Sequence, residues 1–455
     1  MTIESINPAT GQAIAGYELT PACALSGIVE RAHAAFLAWR RAGFAERAAP
    51  LLRAAEILLR NQRQYAELMA EEMGKPVRGG VEEVRACANI CRHYAEHAAA
   101  MLADEPVAAG WRRSRVVYRP LGVVAGVEPW NWPFHQVFRM AVPALMAGNA
   151  VVVKHASNVP GCALAAEDVF VRAELPRDLL RVLLLASADV ESLVSHPLVR
   201  GVSLTGSAPA GAAVARAAGG KLKKSVLELG GSDPYLVLAD ADIEHAARVC
   251  AEGRLGNTGQ SCIAAKRMIV VEDVRAAFEA RFVELMAAAR LGDPLLDTTE
   301  VGPIARRDLR DALHAQVRAS VAAGARLLLG GVVPEGAGAF YPSTVLTDVR
   351  RGMPAFDEEL FGPVAAIVPV ADERAAIAAA NDSAYGLGAC VLTRDVERGE
   401  HIAADLLECG MAWVNARVRE DPRLPFGGIK GSGYGREQST WGIREFVDVK
   451  TVVVA

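Results

Sequence analysis

Between residues 115 and 229 the chain spells out short apolar, β-branched runs: RVVYRPLGVVAGV, AVVVK (150–154), LLRVLLL (179–185), GVSLTG (201–206) and SVLEL (225–229). Segments of helical length separate them, around Ala163–Ala173 and from about Ala208. A strand that is apolar along its whole length is covered on both faces. Strands alternating with helices run parallel to one another, because each helix carries the chain back across the sheet. This alternation therefore predicts a doubly wound parallel sheet. It resumes after Gly231 with YLVL, a helix containing Ala246–Gly253, MIVV (268–271) and a helix reaching Leu291, and it continues to about Val414. A second α/β domain is expected there.

With 455 residues the chain exceeds one core, so two or three domains are expected. Residues from about Ala22 to Met101 are helix-rich. Within them ERAAPLLRAAEILLRNQRQYAELMAEEM repeats apolar residues every three or four positions until Gly74 and Pro76 stop it. The tail, FVDVKTVVVA, reads as a strand with no sequence neighbour to pair with, so it is expected to add to a sheet edge, its own or another subunit's.

A net charge of −4 with 22% charged residues gives no electrostatic case for nucleic acid or an anionic membrane. MTIESINPATGQ has no basic flank or apolar core of a secretory signal. The longest apolar stretch, Met140–Val153, contains Pro143 and Asn149 and is too short to span a bilayer, which leaves the cytoplasm as the expected location. The cysteines at 23, 87, 91, 162, 250, 262, 390 and 409 lack the spacing of a small secreted domain and read as reduced thiols. CANICRHYAEH tempts a metal reading. On a helix, however, Cys87 and Cys91 share one face while His93 and His97 share another, so the four do not converge and no metal is expected.

Seven of the cysteines sit in helical or strand-like runs, whereas Cys262 lies in the small, polar loop LGNTGQSCIAAKR. A thiol that only packs does not need such a setting, but a nucleophile has to be reached. Two other stretches offer helpers. In EPWNWPF (128–134) two tryptophans and two prolines hem Asn131, and a rigidly held amide suits an oxyanion donor; the alternative is a turn former. In VLELGGSDP (226–234) Glu228 interrupts an apolar strand, where desolvation raises a carboxyl toward the range of a general base; the alternative is a paired strand carboxylate. No G-x-G-x-x-G or G-x-x-x-x-G-K-[ST] occurs. TGSAPAGAAV places Gly206 and Ser207 before a helix N-terminus with Gly211 one turn in, which is either an ordinary turn or a phosphate seat. Lys154 ends a buried strand, where ligands bind in such folds or where a lysine is simply solvated.

Together EMGKP, PWNWPF, the strand ending at Lys154, TGSAPAG, LELGGSDP, GQSC, EELFGPV (358–364) and LPFGGIKGSGYGRE (424–437) resemble, in order and spacing, the aldehyde dehydrogenase superfamily. KHASN, LELGGSDP and DPRLPFGG further resemble its bacterial succinate-semialdehyde dehydrogenase branch. The resemblance implies a Rossmann-type cofactor domain (1–106 and 120–229, with 425–442 returning to it), a catalytic α/β domain (230–424), and a small β element (107–119 and 443–455) that joins subunits into a homodimer or homotetramer. It implies Cys262 as nucleophile, Asn131 and the Cys262 N–H as oxyanion donors, and Glu228 as the base for thioester hydrolysis. Gly206 and Ser207 would meet the pyrophosphate and Lys154 the adenine ribose. Glu359 and Phe361 would meet the nicotinamide riboside, with Trp130 and Leu229 also lining the cofactor. Trp132 and Ser261 would face the aldehyde.

NAD-preferring relatives commonly carry a glutamate where Ser157 stands. Its loss removes repulsion against a 2′-phosphate, so NADP is expected to be preferred and NAD also used. Arg139, two helical turns beyond Trp132, is expected either to hold the distal carboxylate of succinic semialdehyde or to lie on a helix surface. Glu420 departs from the small polar residue usual in this branch, and would repel that carboxylate, pair with Arg139 or turn to solvent. Glu128 replaces a usually apolar residue. Aminoaldehydes and uncharged aldehydes are the alternative substrates. A CoA-acylating enzyme would not need Glu228, and a silent relative would not keep Cys262, Asn131 and Glu228 together.

Overall fold

The computed structural model describes residues 2–455. It opens with an antiparallel hairpin, β1 (Thr2–Ile6) and β2 (Ala13–Glu18), followed by four helices: α1 (Leu25–Trp39), α2 (Phe44–Arg60), α3 (Gln62–Met73) and α4 (Val77–Met101). The long apolar periodicity before Gly74 is thus two helices, not one. Asn61 separates them with φ −109°, and its side-chain amide donates to the Ile57 carbonyl at 2.7 Å, a local bond that competes with helix continuation. Gly74, at φ +76°, ends α3 in the left-handed conformation that glycine adopts without strain. On α4, Cys87 and Cys91 are buried, while the His93 and His97 rings stack on each other 4.7 Å apart on the outer side. No group of three or more ligating side chains converges on a common point among the described residues.

After β3 (Glu105–Pro106) and β4 (Arg113–Pro120), the alternation begins: β5 (Val123–Glu128), α5 (His135–Ala147), β6 (Ala150–His155), α6 (Pro160–Arg172), β7 (Leu180–Leu183), α7 (Val190–Ser195), β8 (Val199–Thr205), α8 (Ala208–Gly219) and β9 (Lys224–Glu228). These five strands are parallel and lie in the order β9-β8-β5-β6-β7. The chain starts in the middle at β5, winds outward on one side, then crosses to β8. The reversal between β5 and β8 is the switch point at which such sheets open a crevice beyond their carboxyl ends.

The second sheet is built from β10 (Asp233–Val237), β11 (Ala265–Val271), β12 (Arg326–Leu329), β13 (Thr344–Thr347), β14 (Val364–Val370), β16 (Gly388–Leu392) and β17 (Met411–Val414), in the order β12-β13-β14-β11-β10-β16-β17. All its pairings are parallel except β12 with β13. Helices α9 (Ile243–Leu255) and α10 (Glu272–Ala288) cover it. The second helix stops before Leu291, which instead forms a parallel bridge to Val301. The fold is a mixed α/β architecture with two mainly parallel, doubly wound sheets.

Residues 425–442 run back toward the first sheet. β18 (Ile429–Lys430) pairs with β15 (Tyr385–Gly386), and β19 (Gly433–Tyr434) adds antiparallel to β9. The tail strand, β20 (Val447–Val454), pairs along its length with β4 of the same chain, in a separate three-stranded sheet ordered β20-β4-β3.

Candidate active site

Four strands of the first sheet bring chemistry to one edge. Glu128 ends β5, Lys154 is next to last in β6, Thr205 ends β8 and Glu228 ends β9. From Glu228 the chain passes through Leu229–Ser232 directly into β10. The carboxyl edge of one sheet therefore adjoins the amino edge of the other, where Cys262 precedes β11 and Glu359 and Phe361 precede β14. Contacts confirm the juxtaposition. The Gly231 N–H donates to Glu359 Oε1 at 3.1 Å, and a Cβ on Gly231 would lie 2.7 Å from the Cys262 carbonyl oxygen.

The thiol loop is built against backbone preference. Asn257, Thr258 and Gly259 are successively left-handed, with φ of 55°, 57° and 71°. A Cβ on Gly259 would collide with the Gly362 carbonyl, so that position requires glycine. Arg254, fully buried, donates to the Gly259 carbonyl at 2.6 Å, and the Thr258 hydroxyl accepts from the Gly302 N–H. Asn257 Nδ2 donates to the Asn131 and Gln260 carbonyls. Asn131 Nδ2 spends one hydrogen on the Gln260 carbonyl at 3.1 Å, which fixes the amide two residues from the thiol and leaves its second hydrogen free. The Cys262 N–H has no protein acceptor among the described residues. Cys262 keeps partial access to solvent, yet burial around the sulfur pushes the thiol up to about 12, against the opposing fields of Lys266 and Arg139. Ser261, small and buried, sits beside it.

Glu228 is buried with neither carboxylate oxygen hydrogen-bonded, and desolvation, followed by the charge of Glu437, raises it well above the usual carboxylate range. Glu128 is in the same condition, raised by burial and by Glu437. Arg139, fully buried, opposes the rise of both carboxyls. Its Nη1 donates to Glu420 Oε1 at 2.8 Å, its Nη2 to Thr205 Oγ1 at 3.1 Å, and its Nε lies 2.5 Å from Glu437 Oε2. Of the two alternatives for Arg139, the exposed helix-surface position is corrected, because the side chain is buried at 1% exposure. Each of its nitrogens already faces a protein oxygen, and Glu420 turns inward to pair with it instead of pointing to solvent beside Arg417 and Arg419.

The residues expected around a cofactor lie on the same seam. Ser207 holds the N-cap position of α8 without using its side chain as a cap, and Gly206 precedes it. Gly211 packs so tightly on Leu229 that a Cβ would stand 2.6 Å from it. Lys154 is nearly buried and faces no carboxylate among the described residues, and burial depresses its ammonium below the usual lysine range. An unpaired buried cation is costly, so this position fits a group with anionic or hydroxyl oxygens. Ser157 is exposed at the end of the same strand segment. Trp130 and Phe361 meet edge to face at 5.7 Å. Glu359 Oε1 also lies 3.3 Å from Lys266 Nζ.

The profile of the aldehyde dehydrogenase family matches residues 1–452. The chain belongs to this family. An Escherichia coli protein named succinate semialdehyde dehydrogenase [NAD(P)+] is 44% identical over 98% of this chain and 97% of its own. A Deinococcus radiodurans protein named succinate-semialdehyde dehydrogenase [NADP(+)] is 43% identical over 98% and 94%. Among solved structures, a succinic semialdehyde dehydrogenase from Streptococcus pyogenes in complex with NADP+ superposes with a TM-score of 0.97 at 34% identity, covering 99% of each chain.

This aldehyde dehydrogenase site also depends on residues that sequence reasoning missed. Lys75 and Glu83, both fully buried, form an ion pair. Glu83 also accepts from the Phe134 and His135 N–H groups at the start of α5, and the Lys75 ammonium lies 3.7 Å above the Trp132 ring. The pair thus clamps both sides of the loop that carries Asn131. Lys266 Nζ donates to the Cys262 carbonyl at 2.6 Å and to the Ser261 carbonyl at 3.0 Å. A signal for it was present in the sequence: AKRMIVV carries two cations at the start of an otherwise apolar strand.

Proposed function

We propose that the protein oxidises an aldehyde to its carboxylic acid through a covalent Cys262 intermediate, with NADP preferred over NAD and succinic semialdehyde as substrate. The observation that carries this reading is the convergence on one seam of a partly accessible thiol, a tethered amide with a spare hydrogen and a buried, unpartnered carboxyl. The Cys262 thiol gives up its proton to solvent as its sulfur adds to the aldehyde carbon, forming a C–S bond, and the carbonyl oxygen becomes an oxyanion that accepts from Asn131 Nδ2 and the Cys262 N–H. A bound nicotinamide dinucleotide supplies the hydride acceptor by which the resulting thiohemiacetal becomes a thioester. Glu228, once ionised, takes a proton from water; the hydroxide adds to the thioester carbon, forming a C–O bond as the C–S bond breaks, and the proton held by Glu228 passes to the departing sulfur, so that the acid and the thiol are released. Trp132 and Ser261 border the aldehyde.

Lys154 and Ser157 would hold the adenine ribose and its 2′-phosphate, and Gly206 and Ser207 the pyrophosphate. Glu359, Phe361, Trp130 and Leu229 would surround the nicotinamide riboside. The two sheets support a division into a cofactor-binding part (1–106 and 120–229, with 425–442) and a catalytic part (230–424). Strands within 107–119 and 443–455 would join a homodimer or homotetramer, a reading supported by the exposed Val449 and Val453 on β20. Eight free thiols support a cytoplasmic location. No helix among the described residues is long and apolar enough to cross a membrane.

The names of the relatives support the substrate and cofactor. Following absorbance at 340 nm with succinic semialdehyde should show turnover with NADP above that with NAD. A kcat/KM for NAD tenfold above that for NADP would overturn the cofactor preference, and no reduced cofactor with any aldehyde would overturn the whole reading. The replacement Ser157→Glu should lower kcat/KM for NADP by about 10²-fold, as expected when a charge-assisted phosphate contact gives way to repulsion. The same replacement should leave NAD turnover largely intact, which the paired assay checks.

A further inference from the structure

Arg139 lies in a cage with only one wall open to solvent. Its guanidinium lies over the Phe426 ring, 4.6 Å from the ring centre. Thr205, Glu437 and Glu128 are buried around it, whereas the Glu420 side chain retains 20% of its exposure. Glu420 is fixed from several directions. Oε1 accepts from Arg139 Nη1, Oε2 accepts from Gln438 Nε2 at 2.5 Å, and His135 Nε2 stands 3.5 Å away. The His135 ring is in turn 6.2 Å from Trp132, next to Asn131, so the carboxylate borders the loop that carries the oxyanion donor. The Cys262 sulfur senses both charges, Arg139 drawing its titration down and Glu420 pushing it up.

We propose that Glu420 is a specificity-determining residue of the aldehyde site: it occupies the position on Arg139 that a ligand carboxylate would take, and thereby weakens the hold on succinic semialdehyde and other anionic aldehydes below what an unpaired Arg139 would give. The inference deepens the aldehyde-oxidising reading and rests on it. One guanidinium faces two carboxylates, Glu420 and Glu437, so the wall that an incoming aldehyde meets carries no surplus of positive charge. An anionic substrate has to compete with a tethered carboxylate that is already hydrogen-bonded, and this raises its KM. A cationic one meets a favourable field.

The test uses the full-length enzyme with three aldehydes built on a four-carbon chain: succinic semialdehyde, butanal and 4-trimethylammoniobutanal. Glu420→Gln keeps the shape and an acceptor while removing the charge. Relative to the native enzyme, it should raise kcat/KM for succinic semialdehyde about tenfold, chiefly through KM, and lower it for the cationic aldehyde by a similar factor, with butanal between them. Glu420→Ser should reproduce this order. A merely structural loss would move all three substrates together. That outcome, or an unchanged KM for succinic semialdehyde in both variants, overturns the proposal while native turnover leaves the aldehyde-oxidising reading standing. If the native enzyme oxidises none of the three, both fall.

Discussion

Replacing Cys262 with alanine abolishes aldehyde-dependent cofactor reduction, with kcat falling by about 10⁴-fold or more, as when the nucleophile of a covalent mechanism is removed. The expectation rests on placement. Of the eight cysteines, five are buried and Cys23 is exposed; of the two with partial access, Cys262 and Cys409, it is Cys262 that lies two residues from the Gln260 carbonyl that Asn131 grips. Because burial holds the free thiol up at about 12, alkylation of the resting enzyme by iodoacetamide should be slow at neutral pH and accelerate as pH rises. The alanine variant should retain its melting temperature to within a few degrees, and should still bind the dinucleotide in a fluorescence titration. Retained turnover in this variant would remove Cys262 from the chemistry.

Glu228→Gln should separate the two halves of the reaction. The first turnover survives, giving a burst of reduced cofactor close to one equivalent per site. The steady state then falls by about 10²–10⁴-fold, the range expected for loss of a general base. The pH dependence has a definite sign. Burial raises the Glu228 carboxyl, so the folded protein carries it neutral over a wider range, and only its ionised form accepts a proton from water. Hydrolysis in the native enzyme therefore declines as pH falls, and the variant lacks that limb. Rapid mixing at several pH values measures both quantities. A variant that lost the burst as well would place Glu228 in the first half of the reaction instead.

The parts of this molecule legible from sequence were those governed by local pattern. Runs such as AVVVK and GVSLTG read as interior strands because apolar or small residues dominate both of their faces, and β6 and β8 are buried almost throughout. Cys262, Asn131 and Glu228 stood out because each was the wrong kind of residue for its surroundings. Long-range partnerships were not legible. That Glu420 reaches Arg139 across 281 positions is decided by how the two sheets meet, and the sequence could only offer pairing as one of three alternatives. Lys75 and Glu83 escaped notice for the complementary reason: charged residues on a helical pattern read as solvated until tertiary packing buries them. The break at Asn61 was hidden by an apolar periodicity that continues undisturbed through it.

The three left-handed residues ahead of the thiol also bear on how the enzyme ages with heat. Asn257 and Thr258 each hold a conformation that costs an L-residue about 1–2 kcal/mol, and Thr258 is β-branched as well. That energy is offset by a few bonds from Arg254, Asn257 and Gly302, while the sheets on either side are held by whole ladders. Segments with so small a margin open before the global transition. Thermal inactivation should accordingly run ahead of the loss of helical circular dichroism, so that a warmed preparation contains folded molecules that have already forgotten their catalytic loop.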